Sequence, residues 1–486
     1  MSTALALSDP KALCLQINDR APTEGIFEGD RTNLHPNSRL PWRISPEPFW
    51  LTPEQFHYLE TLGPILLKFY QASNLLYNQS SRGLQPAWVH QYLDQGKPER
   101  VLEMGRWNRI KSHLPLVIRP DLLLTDEGFR IAELDSIPGG IGFTGQISQV
   151  YADLGYQVVG GGDGLLQGFY EMMQSAGQKS TSPTNTEPVV LIIVSDESEP
   201  YREEMQGLAD YLLDQGKPVY CCHPNQVLFD EDGLIVEHQG QRLRVDIVYR
   251  FFELFDLPNI PKSEIITYFA KKNALRLTPP PKAFIEEKMW LAFLHHPMLQ
   301  AFWQHELGRD HTTQLQEIVP RSWIVDPTPA PPHTVIPGLE PDGQTVNDWH
   351  ALKGLSKKAR EYVLKPSGFS AQAYGSRGVA IGHDLPEQDW AEHIDAALEH
   401  FPSTPYILQE FHKASRSHIQ YYDFSSDEMR AMRGRVLLRP YYYILGDTPR
   451  LAGMQAVVCP PDKKLIHGMT DAVIVPCAVK AKNSAF

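Results

Sequence analysis

The chain has 486 residues and is 42% hydrophobic, enough for a large buried core, and its length suggests two to four lobes. Its 45 basic and 58 acidic side chains leave a formal charge of −13, which argues against a nucleic-acid partner and favours a cationic or metal-complexed ligand. Cys14, Cys221, Cys222, Cys459 and Cys477 have no CxxC spacing, against a zinc ribbon or disulfide framework; with no membrane-length apolar run, a cytoplasmic protein without a membrane partner is expected.

Residues 1 to about 50 are rich in Pro, Asn, Arg and Asp without periodicity and are expected to be irregular. Residues 53–112 look helical, with an apolar stripe at Phe56, Leu59, Leu62, Leu66 and Phe69. A hairpin over 115–140 follows, then a helix, a strand YQVVGG and a Ser/Thr/Pro/Asn linker at 175–187. EPVVLIIVSD reads as a strand buried on both faces of a parallel sheet. The next segment is an amphipathic helix with Ser198 as N-cap and Gly216 at its stop. PVYCC and VDIVYRFF complete a βαβ unit, with Arg250 and Glu253 at a carboxyl strand end, where ligands gather; surface pairing suits both residues equally. FIEEKMWLAFLHHPMLQAFWQHEL reads as helix, and 326–343 as a proline-dense loop. Strands dominate from 361, in YVLKP, RGVAIG, YILQEF, GRVLLRPYYYIL and RLAGMQAVVCP.

The hairpin concentrates charge. A three-residue loop ending in a left-handed Gly128 would pair Thr125 with Phe129, setting Asp121 opposite Glu133 and Arg119 opposite Asp135 on one face. Leu123, Phe129 and Ile131 fall on that face too, and Ile118, Leu122, Leu124, Ala132 and Leu134 on the core face. Carboxylates about 5 Å apart repel by roughly 3 kcal/mol at an effective dielectric near 20, so a divalent cation on Asp121, Glu133 and Asp135 would relieve the face. A solvated edge hairpin is the alternative reading.

In EYVLKPSGFSAQAYGSRGVAIG a strand ends at Lys365, and Ser367, Gly368, Gly375 and Gly378 lie in a small-residue loop whose N–H groups could approach phosphates. It is not a Walker A loop, and a flexible hairpin loop would look the same. Lys288, beside Glu286 and Glu287, reads by itself as a solvated helix face. YILQEF turns polar at Gln409 and Glu410.

Taken in order, these segments resemble the ATP-grasp ligases, and among them the glutathionylspermidine synthetase-like enzymes, whose grasp fold is circularly permuted. The resemblance covers roughly residues 100 to 480. Its most specific part is Arg119-Pro120-Asp121 followed after eleven residues by Glu133-Leu134-Asp135, where the family ends in asparagine. KMWLAFLHHP from Lys288, YVLKP around Lys365, YILQEF and the closing RPYYYILGDTPRLAGMQAVVCP are similar to the family's remaining segments.

The resemblance implies a mixed α/β (α+β) chain: an N-terminal irregular and helical region (1–112), a metal-carboxylate part of the grasp core (113–175), an inserted βαβ pre-ATP-grasp-like lobe (187–277) and a nucleotide-binding lobe (282–486). It implies ATP with one or two Mg²⁺ on Asp121, Glu133 and Asp135, and a catalytic Arg119. Lys288, Lys365, Ser367, Gly368, Gly375, Gly378, Gln409 and Glu410 would contact the nucleotide. The implied reaction joins a small carboxylate to an amine through an acyl phosphate, with a phosphotransferase or a non-catalytic nucleotide-binding module as alternatives. The amidase domain of bifunctional relatives has no counterpart here.

Overall fold

The structure is a computed structural model that describes residues 9–21, 35–177, 187–331, 333–463, 465–466 and 471–480. Most of the linker expected at 175–187 lies outside the described residues.

A seven-stranded sheet forms the centre. Its order runs Phe49–Leu51, Val473–Val479, Thr448–Cys459, Glu428–Leu445, Val117–Thr125, Gly128–Asp135, and Arg416–Asp423 extends the free half of Glu428–Leu445. The hairpin thus lies beside a strand some 300 residues later, with Leu122 opposite Leu438. The long helix Pro53–Ser80, started by a Thr52/Gln55 capping box, packs over the sheet and buries Leu59, Leu62, Leu66 and Phe69, the stripe read from sequence.

The second sheet is parallel, in the order Arg276–Thr278, Ile247–Phe251, Val190–Val194, Val219–Cys222. Val190–Val194 is apolar throughout because both faces are covered: Val190, Ile192 and Val194 enter the main core, while Leu191 and Ile193 enter a second one. Helix Arg202–Asp214 follows it and Gly216 leaves with φ +75°. Ser198 heads only a short 3-10 turn and makes no side-chain cap.

The third sheet is antiparallel, in the order Ser322–Ile324, Tyr406–Glu410, Tyr362–Pro366, Ala380–Ile381. Helix Glu387–His400 covers one face through Trp390, Ile394 and Ala397. The proline-dense segment closes over this core with Leu339, and Trp323 Nε1 donates to the Pro337 carbonyl at 2.9 Å.

Three further expectations fail locally. Residues 10–20 form a helix, Pro10–Arg20, capped by the Asp9 side chain. YQVVGG makes a single bridge, Val158 to Ala478, where a strand was expected. The helix expected from 284 is broken into a 3-10 turn Ala283–Glu286 and helices Met289–His295 and Gln300–Leu307, because Pro297 cannot continue the first. Among the described residues no helix is long and apolar enough to cross a membrane.

Candidate functional site

The hairpin reaches the expected juxtaposition by a different route. Thr125 pairs with Gly128, a two-residue turn, and a bulge between Asp121 and Leu122 then restores Asp121 opposite Glu133 and Arg119 opposite Asp135. The two-residue turn, ahead of the bulge, puts Phe129 and Ile131 on the buried core side, opposite Leu124 and Leu122 and off the charged face. The bulge's extra residue, Ala132, accepts at its carbonyl from Lys365 Nζ at 2.8 Å.

Arg119 is buried and fully employed. Its Nε donates to Asp121 at 2.9 Å, one terminal nitrogen to Asp135 at 2.9 Å and the other to the Gly139 carbonyl at 3.1 Å. Arg439, from the closing hairpin, meets the second Asp121 oxygen at 3.2 Å. Burial opposes ionisation of Asp121, but Arg119 and Arg439 outweigh it and hold its carboxyl below the usual carboxylate range. Burial, with Glu133 alongside, pushes Asp135 up despite Arg119.

Lys288 heads helix Met289–His295 and reaches Glu133 at 2.8 Å. It does not lie on a solvated face. The three consecutive residues 286–288 each hold a different part of the chain. Glu286 pairs with fully buried Arg250 of the parallel sheet, Glu287 pairs with buried Lys97 and accepts from Ser367 Oγ, and Lys288 holds the hairpin. Arg250 therefore belongs to a buried pair. Burial raises the Glu286 carboxyl, with Asp135 and Glu287 adding to it against Arg250.

Lys365 is enclosed between Ala132 and Gln409, whose Oε1 accepts from it at 2.7 Å; Gln409 Nε2 in turn donates to Ser322 Oγ at 3.1 Å. Burial lowers Lys365 to about 8. Glu410 is the next residue on its strand and so points to the other face, half-buried near His412, away from the two lysines. Of the loop residues, Ser367 also accepts from the Met289 N–H at 3.3 Å, and Gly368 passes so close to 286–287 that a Cβ would stand 2.4 Å from the Glu286 carbonyl oxygen. Both are packing positions at the root of the loop. Gly375 turns with φ +61°, Gly378 bonds back to the Gln372 carbonyl at 2.8 Å, and the loop's Ala373 carbonyl lies 3.5 Å from Lys288 Nζ.

The hairpin's three carboxylates are the hard oxygen donors that Mg²⁺ prefers, and burial, with Glu133 adding to it, disfavours the charged form of Asp135 that a bound cation would favour. As placed they are held by Arg119, Arg439 and Lys288, and among the described residues no three acids, histidines or cysteines are grouped to hold an ion. The donor set fits a divalent ion in its chemistry.

Lys97, Arg439, Glu286 and Glu287 were not singled out from sequence as site residues. Arg439 lies within the RPYYYIL segment already noted; Lys97 had no local signal.

These three sheets and their covering helices are the glutathione synthetase-like fold. It is shown by a solved glutathione synthetase-like effector from Globodera pallida, in apo form, which superposes with TM-score 0.51 at 12% identity over 97% of this chain and 98% of that one. A putative γ-glutamylcysteine synthetase from Methylobacillus flagellatus aligns more loosely, with TM-score 0.35 at 12% identity over 86% of this chain and 85% of that one. No protein-family model and no curated protein matches the sequence.

Proposed function

We propose that the chain is an ATP-grasp carbon–nitrogen ligase of the permuted kind, joining a small carboxylate to an amine with release of ADP and phosphate. The observation that carries this reading is the convergence of Arg119, Arg439, Lys288 and Lys365 with three carboxylates under one glycine-rich loop, drawn from chain segments up to 320 residues apart. Such a site suits an anion-rich substrate whose charge must be balanced while a phosphoryl group moves.

In this reading Lys288 and Lys365 neutralise phosphate oxygens, Lys288 exchanging Glu133 for the nucleotide. Asp121, Glu133 and Asp135 would hold Mg²⁺, which when bound supplies charge neutralisation between the phosphates. Arg119 and Arg439 face the same carboxylates and orient the acid as its oxygen accepts the phosphoryl group. Gln409 keeps Lys365 aimed into the cleft. The fold likeness to a synthetase-like protein supports the reading.

The test is incubation with Mg-ATP and pooled amino acids, peptides and polyamines, followed by mass spectrometry. A condensation product with ADP is expected. AMP as product would defeat the acyl-phosphate route, and a stable phosphorylated product would make the chain a phosphotransferase.

A further inference from the structure

The ribbon formed by Arg416–Asp423 and the free half of Glu428–Leu445 sorts its charge by face. Arg416 lies directly opposite Arg435, and His418 opposite Arg433. Strand alternation puts all four on one face. Opposed Cβ atoms stand about 5 Å apart, and the two pairs about 7 Å apart along the strands. The ribbon's acids lie on the other face, where Asp423 opposes Glu428 and Arg430 meets Asp423 at 3.0 Å.

The acids at the two ends of the ribbon are already engaged. Asp427 holds Lys11 and the Tyr422 hydroxyl, Asp126 accepts from Ser415 Oγ, and Glu127 pairs with Arg130. Among the described residues none of Arg416, His418, Arg433 and Arg435 enters an ion pair. Like charges set opposite one another destabilise an antiparallel pair, so the face lacks a counter-charge. This is unusual in a chain of formal charge −13, where Arg119, Arg244, Arg250 and Arg439 each meet a carboxylate.

Arg435 distinguishes the cluster from a merely solvated ribbon. Arg416, His418 and Arg433 are exposed, whereas Arg435 is only 5% exposed and its Nε donates to the Pro461 carbonyl at 3.0 Å, which fixes the guanidinium. Its terminal nitrogens make no hydrogen bond, and neither is sealed from solvent. Burial, and after it the charge of Arg416, lowers the Arg435 guanidinium from its usual range, with no carboxylate acting against them. We propose that this face binds a phosphate group, with Arg435 as its fixed floor and Arg416, Arg433 and His418 closing around the oxygens. Arginine forks match phosphate oxygens two at a time, and charge-assisted bonds of this kind are the strong ones. Four residues separate Arg435 from Arg439, about 13 Å of strand. The site therefore stands apart from the carboxylate cleft and does not depend on the ligase reading.

The test titrates inorganic phosphate and a phosphate monoester, phosphoserine, into the full chain by calorimetry, in chloride buffer of matched ionic strength. Hydrogen exchange then locates the backbone that each probe protects. In the wild-type protein, binding with slowed exchange across 416–435 is expected. Arg416→Gln/Arg433→Gln is expected to weaken binding at least about 10-fold and to abolish that protection. Should the double variant fail to fold, Arg416→Gln alone is read in the same way. Equal affinity for the two probes supports a site for free phosphate, and tighter phosphoserine supports one for a phosphorylated ligand. Unchanged affinity in the variant, or no protection of 416–435 in the wild-type protein, leaves a solvated charged ribbon and overturns the proposal.

Discussion

Glu204 is fully buried, yet it caps a helix from outside it. Its two oxygens accept from the Gly140 N–H at 2.6 Å and the Phe143 N–H at 3.2 Å, at the start of helix Ile141–Asp153 and next to the Gly139 carbonyl that holds Arg119. Burial outweighs these bonds and Arg119, and pushes the carboxyl up to about 7 from an ordinary value near 4.5. Because the folded value is the higher, this group's stabilisation is complete below pH 4.5 and is lost as pH rises through about 7. A shift of that size corresponds to about 3 kcal/mol across the window. Glu204→Gln removes the titration and keeps one acceptor, but turns an amide N–H₂ against the other backbone N–H. It should therefore be less stable than the wild type at pH 5, by roughly 1–3 kcal/mol, and close that gap by pH 7.5. Urea denaturation of both proteins at half-unit steps from pH 4.5 to 7.5 reads the difference directly. Parallel stability curves for the two proteins would refute the reasoning.

Lys97→Met strands Glu287 in the interior and should cost about 3–5 kcal/mol, most of it recovered in Lys97→Met/Glu287→Met; equal losses in the single and double variants would deny the pair its role. Arg119→Ala should reduce turnover about 100-fold with little change in Mg-ATP affinity, and unchanged turnover would remove Arg119 from the chemistry. Lys365 loses its proton as pH rises through about 8, so Mg-ATP affinity measured by calorimetry should fall between pH 7 and 9 in the wild-type protein and stay level in Lys365→Arg. Gly368→Ala drives a methyl against the Glu286 carbonyl and should weaken both folding, by about 1–3 kcal/mol, and nucleotide binding. Failure of either loss, judged against Gly354→Ala in open space, would show that the backbone at 286–288 yields easily.

Much of the architecture is written locally. The stripe of Pro53–Ser80, the all-apolar Val190–Val194 and the late run of strands follow from periodicities of 3.6 and 2 that neighbouring residues impose on one another. The hairpin was legible for the same reason, since alternation places Arg119, Asp121, Glu133 and Asp135 on one side once a tight turn is assumed. The turn itself was misjudged by one residue, and a bulge compensated, because nothing in the local sequence distinguishes a longer loop from a two-residue turn followed by an unpaired Ala132. That distinction belongs to Lys365, which takes the Ala132 carbonyl from 233 residues away.

The sequence by itself therefore determined which segments could carry charge and chemistry: the hairpin, the lysine strand, its glycine-rich loop. Only the tertiary structure decided their partners. Lys97 with Glu287, Arg250 with Glu286 and Arg439 with Asp121 are joined across 190, 36 and 318 positions. Each such contact depends on burial that many segments create together, and an isolated lysine or arginine shows no periodicity that could announce it.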